Sequence, residues 1–403
     1  MLGFFGVFFE KDGKKDDIPT VVTESKLKDY SDFAVGTPVF DTSAVSVSAK
    51  SVILCTDSGM LLYEKQADVP LPMASITKVM TATVALEALG VISSEQTDKL
   101  KEEVAVNASA VGVEGSSVYL KAGEKVSYEM LLYSLMLESA NDAATAIAFA
   151  VMGSEEAFVA AMNQKAAALC MNTTVFKNPH GLSADGHYTT ARDYARLMAY
   201  AIENPVFCQL IGTKKAVYPS ADGEMTRVLT NHNRLLSTYK YMLGGKTGFT
   251  KLSGRTLVTA AEKDGTRLIC VTINAPDDWN DHKELFEKGF GAVKTEVFTP
   301  EKCGVSVAVA CGDRQGLVCR IKKEVRLTVK PETEITVKFF CPSMLFAPIE
   351  AESTIGRVEF YANGEKIAEE KLYSDCEIYS TKTEGKSSFF GKIISFFKTK
   401  KKS

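Results

Sequence analysis

The sequence contains few of the residues that metal sites require. It has four histidines and nine cysteines among 403 residues, and neighbouring cysteines are at least eight positions apart. Neither C-x-x-C nor H-E-x-x-H occurs, which excludes the usual zinc-site spacings, and we expect no metal and no cofactor. The odd number of cysteines argues against a complete disulfide framework, so we expect most of them to be small core residues.

Strong charge and long apolar runs are also missing. The formal net charge is −3, so we expect no nucleic-acid partner. No stretch approaches the roughly 20 apolar residues that span a bilayer. Hydrophobic residues make up 45% and charged residues 24% of the chain, as in ordinary globular proteins, and the length predicts two or three domains.

Residues 1–44 are predicted to be an N-terminal segment and linker. The tip MLGFFGVFF is a short apolar run with no basic residue before it. It fits either the remnant of a signal sequence or a tail outside the fold. The residues that follow it are polar and lack periodicity, which indicates a linker.

Residues 45–296 have strand patterns at both ends and helical patterns between them. A helix is predicted from Ser75 to Gly90, and residues 127–202 are mostly helical. Strand patterns return over residues 241–275, separated by turn residues. We therefore predict an α+β domain, an antiparallel sheet with helices on both faces.

Residues 297–376 have a different hydrophobic pattern from the preceding domain. Short alternating runs such as GVSVAVAC and TEITVKFF predict a small all-β, sandwich-like domain. Asn363-Gly364 predicts a hairpin turn within it.

Residues 386–403 form a third kind of segment. Phenylalanines and isoleucines fall on one side of a predicted helix, lysines lie on the other side, and a basic run follows. This pattern is typical of an amphipathic helix on a membrane surface. The alternative is a helix that packs on the protein itself or on a partner.

Three short motifs carry the candidate chemistry. Ser-x-x-Lys alone is weak evidence, since it begins at four positions: Ser25, Ser75, Ser237 and Ser395. Ser-x-Asn occurs once, at residues 139–141, and Lys-Thr-Gly occurs once, at residues 246–248. The order of the three motifs within one α+β region is hard to explain as coincidence, and it singles out Ser75.

Ser75 and Lys78 form a candidate nucleophile and base. A serine hydroxyl is a poor nucleophile until a base takes its proton. Lys78 lies one turn after Ser75, so both side chains are expected on the same helix face. To act as a base Lys78 must be neutral, which burial and a nearby positive charge such as Lys246 would favour.

The other two motifs supply the remaining groups of the candidate site. Ser139 is placed to pass a proton to the leaving amine, and Asn141 to bind the substrate amide. The backbone N–H groups of Ser75 and Phe249 are candidates for an oxyanion hole. Gly248, in a glycine-rich strand with Thr247, allows a substrate backbone to lie close.

These motifs resemble those of penicillin-binding proteins and serine β-lactamases. More narrowly, the chain resembles the low-molecular-weight D-alanyl-D-alanine carboxypeptidases of serine peptidase family S11, over about residues 45–375. The segments LPMASITKVMTA, NPHGLSADGHYTTARDYARLM, TNHNRLL and GGKTGFT are similar to family segments, and FAPIEAESTIGRVEFYANGEKI resembles the family's β-rich second domain.

The resemblance implies a two-step acyl transfer. Ser75 would attack the penultimate D-Ala of a peptidoglycan pentapeptide stem, release the terminal D-Ala and be freed by water, in the course of cell-wall biogenesis. β-Lactam antibiotics would acylate Ser75 as inhibitors. Lys246, Thr247 and Gly248 would bind substrate. The basic C-terminus resembles the family's membrane anchor, which implies a location on the outer face of the bacterial cytoplasmic membrane.

One departure from the family concerns the substrate's carboxylate. Family members often place an arginine beyond the strand that follows Lys-Thr-Gly, whereas the corresponding window here, PDDWNDHKEL, has none. Lys246, Thr247, His282 and Lys283 are the candidates to replace it.

The remaining histidines are expected to have structural roles. We expect His180 and His187 to order a loop beside the cleft, and His232 to order a turn.

Three other functions share parts of this pattern. A class A-like β-lactamase would need a deacylating glutamate after Asn141, but residues 157–202 contain none. A non-catalytic penicillin-binding sensor of the cell wall would not need the intact motifs. An endopeptidase that cuts D-Ala cross-links with the same site stays open as a variant.

Overall fold

The computed structural model describes residues 30–41, 43, 45–219 and 226–381. The chain divides into two compact units, Met1–Lys294 and Thr295–Ser403. The first mixes helices with an antiparallel sheet and the second is rich in strands, which confirms the predicted fold at this level. The predicted membrane-surface helix at residues 386–403 and the apolar N-terminal tip lie outside the described residues.

The first unit is built from nine strands and eight helices among the described residues. The strands are β1 (Ser51–Thr56), β2 (Leu61–Lys65), β3 (Glu103–Ala105), β4 (Lys125–Ser127), β5 (Lys215–Pro219), β6 (Thr226–Thr230), β7 (Met242–Thr250), β8 (Gly254–Lys263) and β9 (Thr266–Ile273). The helices are α1 (Lys78–Ala88), α2 (Tyr128–Leu137), α3 (Asn141–Met152), α4 (Glu155–Ala168), α5 (Ala191–Ala201), α6 (Pro205–Gly212), α7 (Leu235–Thr238) and α8 (Asp278–Ala292). Short 3-10 segments cover Ala74–Thr77, Ser94–Lys101 and Ala108–Ala110.

Five of these strands form the main sheet, in the order β2-β1-β9-β8-β7. Its middle strands are apolar at consecutive positions because both faces are covered. In β9, Leu268 and Cys270 belong to the core on one side, and Ile269 and Val271 belong to the larger core on the other. The strands β3 and β4, and likewise β5 and β6, form separate two-stranded ribbons.

The strand β7 carries the Lys-Thr-Gly motif along the edge of this sheet. It pairs antiparallel with β8 alone, with Lys246 opposite Val258 and Gly248 opposite Thr256. Its other edge pairs with no strand among the described residues.

The segment around Ser75 differs from the predicted helix. Ser75 lies in the 3-10 turn Ala74–Thr77, and α1 begins only at Lys78. Ala74 has φ 50°, in the left-handed region, so the chain turns sharply just before Ser75 and cannot be helical there. The helix ends as expected, because Gly90 follows it with φ 71°.

The end of the predicted linker is part of the fold. Tyr30 and Phe33 are buried in the larger core of the first unit, and the Arg192 guanidinium donates to the carbonyl of Ala34. Two buried aromatic side chains are enough to attach a short segment to a core. Because such a segment has no helix or strand periodicity, its sequence does not distinguish it from a linker.

The second unit is all-β among its described residues. Its strands are β10 (Lys294–Phe298), β11 (Gly304–Ala310), β12 (Gly316–Arg320), β13 (Val325–Val329), β14 (Ile335–Phe340), β15 (Met344–Phe346), β16 (Thr354–Ala362) and β17 (Glu365–Ser374). Six of them form one sheet, in the order β14-β16-β17-β12-β11-β15, and β10 pairs with β13. Asn363 and Gly364 make the turn between β16 and β17, both with positive φ.

Among the described residues, no single helix has the length and apolar composition of a membrane span. The helices α3 and α4 pass that test only as a pair bent by 88°.

Candidate active site

A cavity of about 390 Å³ opens beside Ser75 in the first unit. It is lined by Ser75, Ser116, Ser139, His232, Arg234, Thr247, Gly248, Phe249, Arg255, Asp278 and Trp279. Five of the eight predicted site residues are in this wall. The other three, Lys78, Asn141 and Lys246, are buried, with side chains of at most 4% relative exposure.

The Lys78 amine lies at the centre of a small hydrogen-bond network. Its Nζ is 3.2 Å from Ser75 Oγ, 2.7 Å from Asn141 Oδ1 and 2.5 Å from the carbonyl oxygen of His180. Asn141 Oδ1 and the carbonyl can only accept hydrogen bonds. A neutral amine has two N–H groups for these two acceptors, which leaves its lone pair for the hydroxyl of Ser75.

The surroundings of Lys78 favour this neutral form. Burial lowers the pKa of Lys78 well below its ordinary value of 10.5, and the positive charge of Lys246 lowers it further, while Asp142 opposes the shift. A buried ammonium without a carboxylate partner is costly, and this cost favours the neutral amine.

Lys246 is the second buried lysine of the site. Its Nζ donates to the carbonyl of Thr247 at 3.0 Å, and burial lowers the pKa of its amine from 10.5 to about 7. The residue is only 1% exposed and is not among the residues that line the cavity.

Asn141 lies between the Lys78 amine and the backbone of Glu114. Its Oδ1 accepts from Lys78, and its Nδ2 donates to the carbonyl of Glu114 at 2.6 Å. Asn141 thus contacts the Lys78 amine from within the protein, and its predicted contact with the substrate amide stays a prediction.

Ser139 lies at the break between α2 and α3. Its φ of 58° is in the left-handed region, which is costly for a serine and is a form of strain found at functional sites. The next helix is anchored at its start by Asp142, which accepts from Ser117 Oγ at 2.7 Å and from the amide of Leu120 at 3.1 Å. These contacts hold the loop that carries Ser116 against the cavity.

Gly248 packs directly on the turn that carries Ser75. A methyl group at Gly248 would lie 2.9 Å from the amide nitrogen of Ser75 and 3.1 Å from that of Ile76. Only glycine allows β7 to come this close. The candidate oxyanion donors, the amides of Ser75 and Phe249, are thus brought to neighbouring positions by the approach of strand to turn.

The loop of residues 177–187 packs against α1 and the 3-10 turn that carries Ser75. The Thr81 hydroxyl donates to the carbonyl of Pro179 at 2.6 Å, which places the carbonyl of His180 at Lys78. His187 Nδ1 accepts from the amide of Lys177, and its Nε2 lies 2.9 Å from the hydroxyl of Thr77. Lys78 therefore contacts the backbone carbonyl of His180.

Burial keeps the imidazoles of this loop neutral. It lowers the pKa of His180 to about 3 and that of His187 to about 4. In the same loop, Gly181 has φ 91° and lies against Ala74.

His282 and His232 lie in contrasting places. His282 is fully buried between the hydroxyls of Thr259 and Thr272, so its suggested role at the substrate carboxylate is wrong. His232 lines the cavity, with Nε2 3.3 Å from the carboxylate of Glu138.

The sequence did not assign six residues of the wall to the site: Ser116, His232, Arg234, Arg255, Asp278 and Trp279. Asp278 and Trp279 belong to the PDDWNDHKEL window, in which the sequence suggested His282 and Lys283 instead. Arg255 follows the tip of the hairpin after Lys-Thr-Gly, and its position there was a signal that was available.

Among residues 30–41, 43, 45–219 and 226–381 there is no group of three or more histidine, cysteine, aspartate or glutamate side chains that could hold a metal ion.

Comparisons with known proteins agree on one family. The S11 peptidase model, described as D-alanyl-D-alanine carboxypeptidase, matches residues 38–277, and the model of the C-terminal domain of penicillin-binding protein 5 matches residues 282–380. The D-alanyl-D-alanine carboxypeptidase DacC of Escherichia coli is 31% identical over 367 residues, 88% of each chain. DacF of Bacillus subtilis is 34% identical over 235 residues, 58% of this chain and 59% of the relative.

A solved structure gives the same result. Penicillin-binding protein 5 from Haemophilus influenzae matches with a TM-score of 0.63 and 25% identity, over 83% of this chain and 99% of that one.

Proposed function

Because the chain belongs to the S11 family of D-alanyl-D-alanine carboxypeptidases, we propose that it removes the terminal D-Ala from peptidoglycan pentapeptide stems with Ser75 as nucleophile. The observation that carries this assignment is the Lys78 amine, which lies 3.2 Å from Ser75 Oγ. In its neutral form it gives its two N–H groups to Asn141 Oδ1 and the carbonyl of His180 and keeps its lone pair for the Ser75 hydroxyl.

Acylation begins with the proton of Ser75. Lys78 takes this proton as general base while Ser75 Oγ attacks the carbonyl carbon of the penultimate D-Ala. Negative charge develops on the carbonyl oxygen, where the amides of Ser75 and Phe249 stabilise it. The lysine is restored when its proton passes, by way of Ser139, to the departing amine of D-Ala.

Deacylation uses the same groups in reverse. Lys78 deprotonates a water that attacks the acyl ester, and Ser75 recovers its proton when the shortened peptide leaves. β-Lactams acylate the same serine, and the resulting ester is released slowly because the amine freed by ring opening stays attached to the acyl group and occupies the space that the attacking water needs.

The substrate backbone is proposed to lie along β7. Thr247 and Gly248 present this edge strand to the cavity, and the free edge can pair with an extended peptide. Lys246, a buried residue of the same strand, contributes positive charge there.

The C-terminal segment places the enzyme at its substrate in this proposal. Residues 386–403 act as an amphipathic membrane-surface anchor, and the protein is peripheral on the outer face of the cytoplasmic membrane. Fractionation tests this. The full chain should sediment with membranes and a chain that ends at residue 385 should not. Equal sedimentation of the two would contradict the anchor.

The test of the proposed nucleophile is release of D-alanine from a synthetic peptide that ends in D-Ala-D-Ala. Wild type should release it, and Ser75→Ala should not. Ser237→Ala is a matched control, since Ser237 begins another Ser-x-x-Lys sequence and is exposed on α7. Equal release by wild type and Ser75→Ala would refute the assignment.

A further inference from the structure

A substrate with a free C-terminal carboxylate needs a cation in the cavity wall, and this requirement rests on the proposed function. The buried Lys246 donates to Thr247 and His282 lies in the core. Lys283 is not in the wall. The cations that line the described cavity, apart from the histidine His232, are Arg234 and Arg255.

Arg255 lies beside the end of β7, the strand along which the substrate is proposed to lie. It lies on β8 opposite Phe249, one position from the pair Gly248–Thr256. Its Nε and Nη2 are 3.0 Å and 2.8 Å from Asp278 Oδ1. Its guanidinium carbon lies 5.3 Å from the ring centre of Trp279. Asp278 and Trp279 begin α8 and are themselves part of the wall.

The bonds to Asp278 use two of the five guanidinium N–H groups and leave three. Arginine has five N–H groups in a planar fork, and Asp278 takes one from Nε and one from Nη2. The structure gives Nη1 no hydrogen-bond partner among the described residues. The Nη1–Nη2 edge is therefore available for a carboxylate, whose two oxygens match it. The side chain of Arg255 is 39% exposed, which makes this edge accessible.

Arg234 lacks comparable support. It precedes the short helix α7, and the structure shows neither a hydrogen bond nor an ion pair of its guanidinium within residues 226–381 or the other described ranges. An unsupported arginine loses more rotamer entropy when it binds a ligand than one that is already held.

We propose that Arg255 binds the terminal carboxylate of the substrate, held in position by Asp278 and Trp279. The residue thereby selects peptides whose last residue is free. It supplies from β8 the positive charge that the PDDWNDHKEL window lacks.

The test compares two peptides that differ only at the end, an N-acylated Lys-D-Ala-D-Ala acid and its C-terminal amide. Cleavage of each is followed by mass spectrometry. Wild type should prefer the acid. Arg255→Gln should lower kcat/KM for the acid by about 100-fold and leave the amide within about threefold, since only the acid loses a charged hydrogen-bond partner. Arg255→Lys, which keeps the charge without the fork, should restore part of the preference.

The control is Arg267→Gln, because Arg267 is also an arginine of the main sheet, is paired with Glu262 and is not in the cavity wall. An unchanged acid preference in Arg255→Gln would overturn the assignment. Equal loss on both peptides would show a structural role and also overturn it, as would a loss of preference in Arg234→Gln instead. If wild type cleaves neither peptide, the proposed function itself fails, which is a different result from an active wild type with an indifferent Arg255.

Discussion

Gly181 offers a sharp test of how the loop beneath the site supports Ser75. Its φ is 91°, and a methyl group there would overlap the carbonyl of Ala74 and lie 2.9 Å from Thr77 Oγ1. Both residues belong to the turn that carries Ser75. Gly186, in the same loop, has a similar φ of 79°, but a methyl group there would meet only the end of the flexible Lys177 side chain, at 3.1 Å.

Both alanine variants should therefore lose stability because alanine disfavours the left-handed backbone, and Gly181→Ala should also lose stability through steric overlap. The left-handed backbone costs alanine about 1–2 kcal/mol at either position. Gly181→Ala adds an overlap with backbone, which typically costs about 1–3 kcal/mol more. Because the overlap pushes on the turn itself, we expect Ser75 to move by a fraction of an ångström to an ångström. A displacement of ~1 Å slows a reaction by about 100-fold.

The assay is the second-order rate constant for acylation by a fluorescent penicillin, measured beside unfolding in urea. Gly186→Ala should lose about 1–2 kcal/mol of stability and acylate at close to the wild-type rate. Gly181→Ala should lose more stability and acylate about 100-fold more slowly under conditions where it is folded. If Gly181→Ala stays folded and acylates within twofold of Gly186→Ala, the loop does not position Ser75 and the reasoning is refuted.

Two further predictions concern charge. Asn141→Asp is nearly isosteric but places a carboxylate on Lys78 Nζ, 2.7 Å from the present Oδ1, so the pKa of Lys78 should rise and acylation near neutral pH should slow by about 10- to 1000-fold. The rate should recover at higher pH, and an unshifted pH profile would contradict the role given to Lys78. Burial lowers the pKa of His282 from 6.5 to about 3, so between these values the unfolded chain binds a proton that the folded chain does not. Stability should therefore fall as pH decreases from 6.5, by up to about 1.4 kcal/mol per pH unit for this histidine. Urea unfolding at several pH values should show a smaller slope in His282→Gln than in the matched control His232→Gln at an exposed histidine, and equal slopes would show that His282 is not buried in its neutral form.

The sequence allowed the family and the fold class to be predicted because both depend on local patterns. Ser75 and Lys78 are three positions apart, and residues 246–248 are contiguous, so their spacing can be read directly. The periodicities of strands and helices separate an α+β unit from a β-rich one, and these predictions are confirmed. The catalytic roles of the individual residues stay predictions, which the geometry supports.

What could not be predicted depends on backbone and on distant pairs. The backbone carbonyl of His180 accepts a hydrogen bond from Lys78. Every residue has such a carbonyl, so the sequence cannot show which one makes this contact. The position of Ser75 in a 3-10 turn follows from the left-handed Ala74, and alanine gives no sign of it. The contacts of Arg255 with Asp278 and Trp279 form only when β8 and the start of α8 come together in the fold. Both residues are remote from Arg255 in the sequence.

The central claim is that a neutral Lys78 takes the proton of Ser75, and the pH dependence of kcat/KM for D-alanine release tests it most directly. This ratio reports the essential groups of the free enzyme. With the pKa of Lys78 well below 10.5, the rate should reach its plateau well under that pH, and Lys78→Met should abolish release while the protein stays folded. A rate that keeps rising tenfold per pH unit up to about pH 10, the ordinary range of lysine, would show that Lys78 is charged in the resting enzyme and would contradict the account.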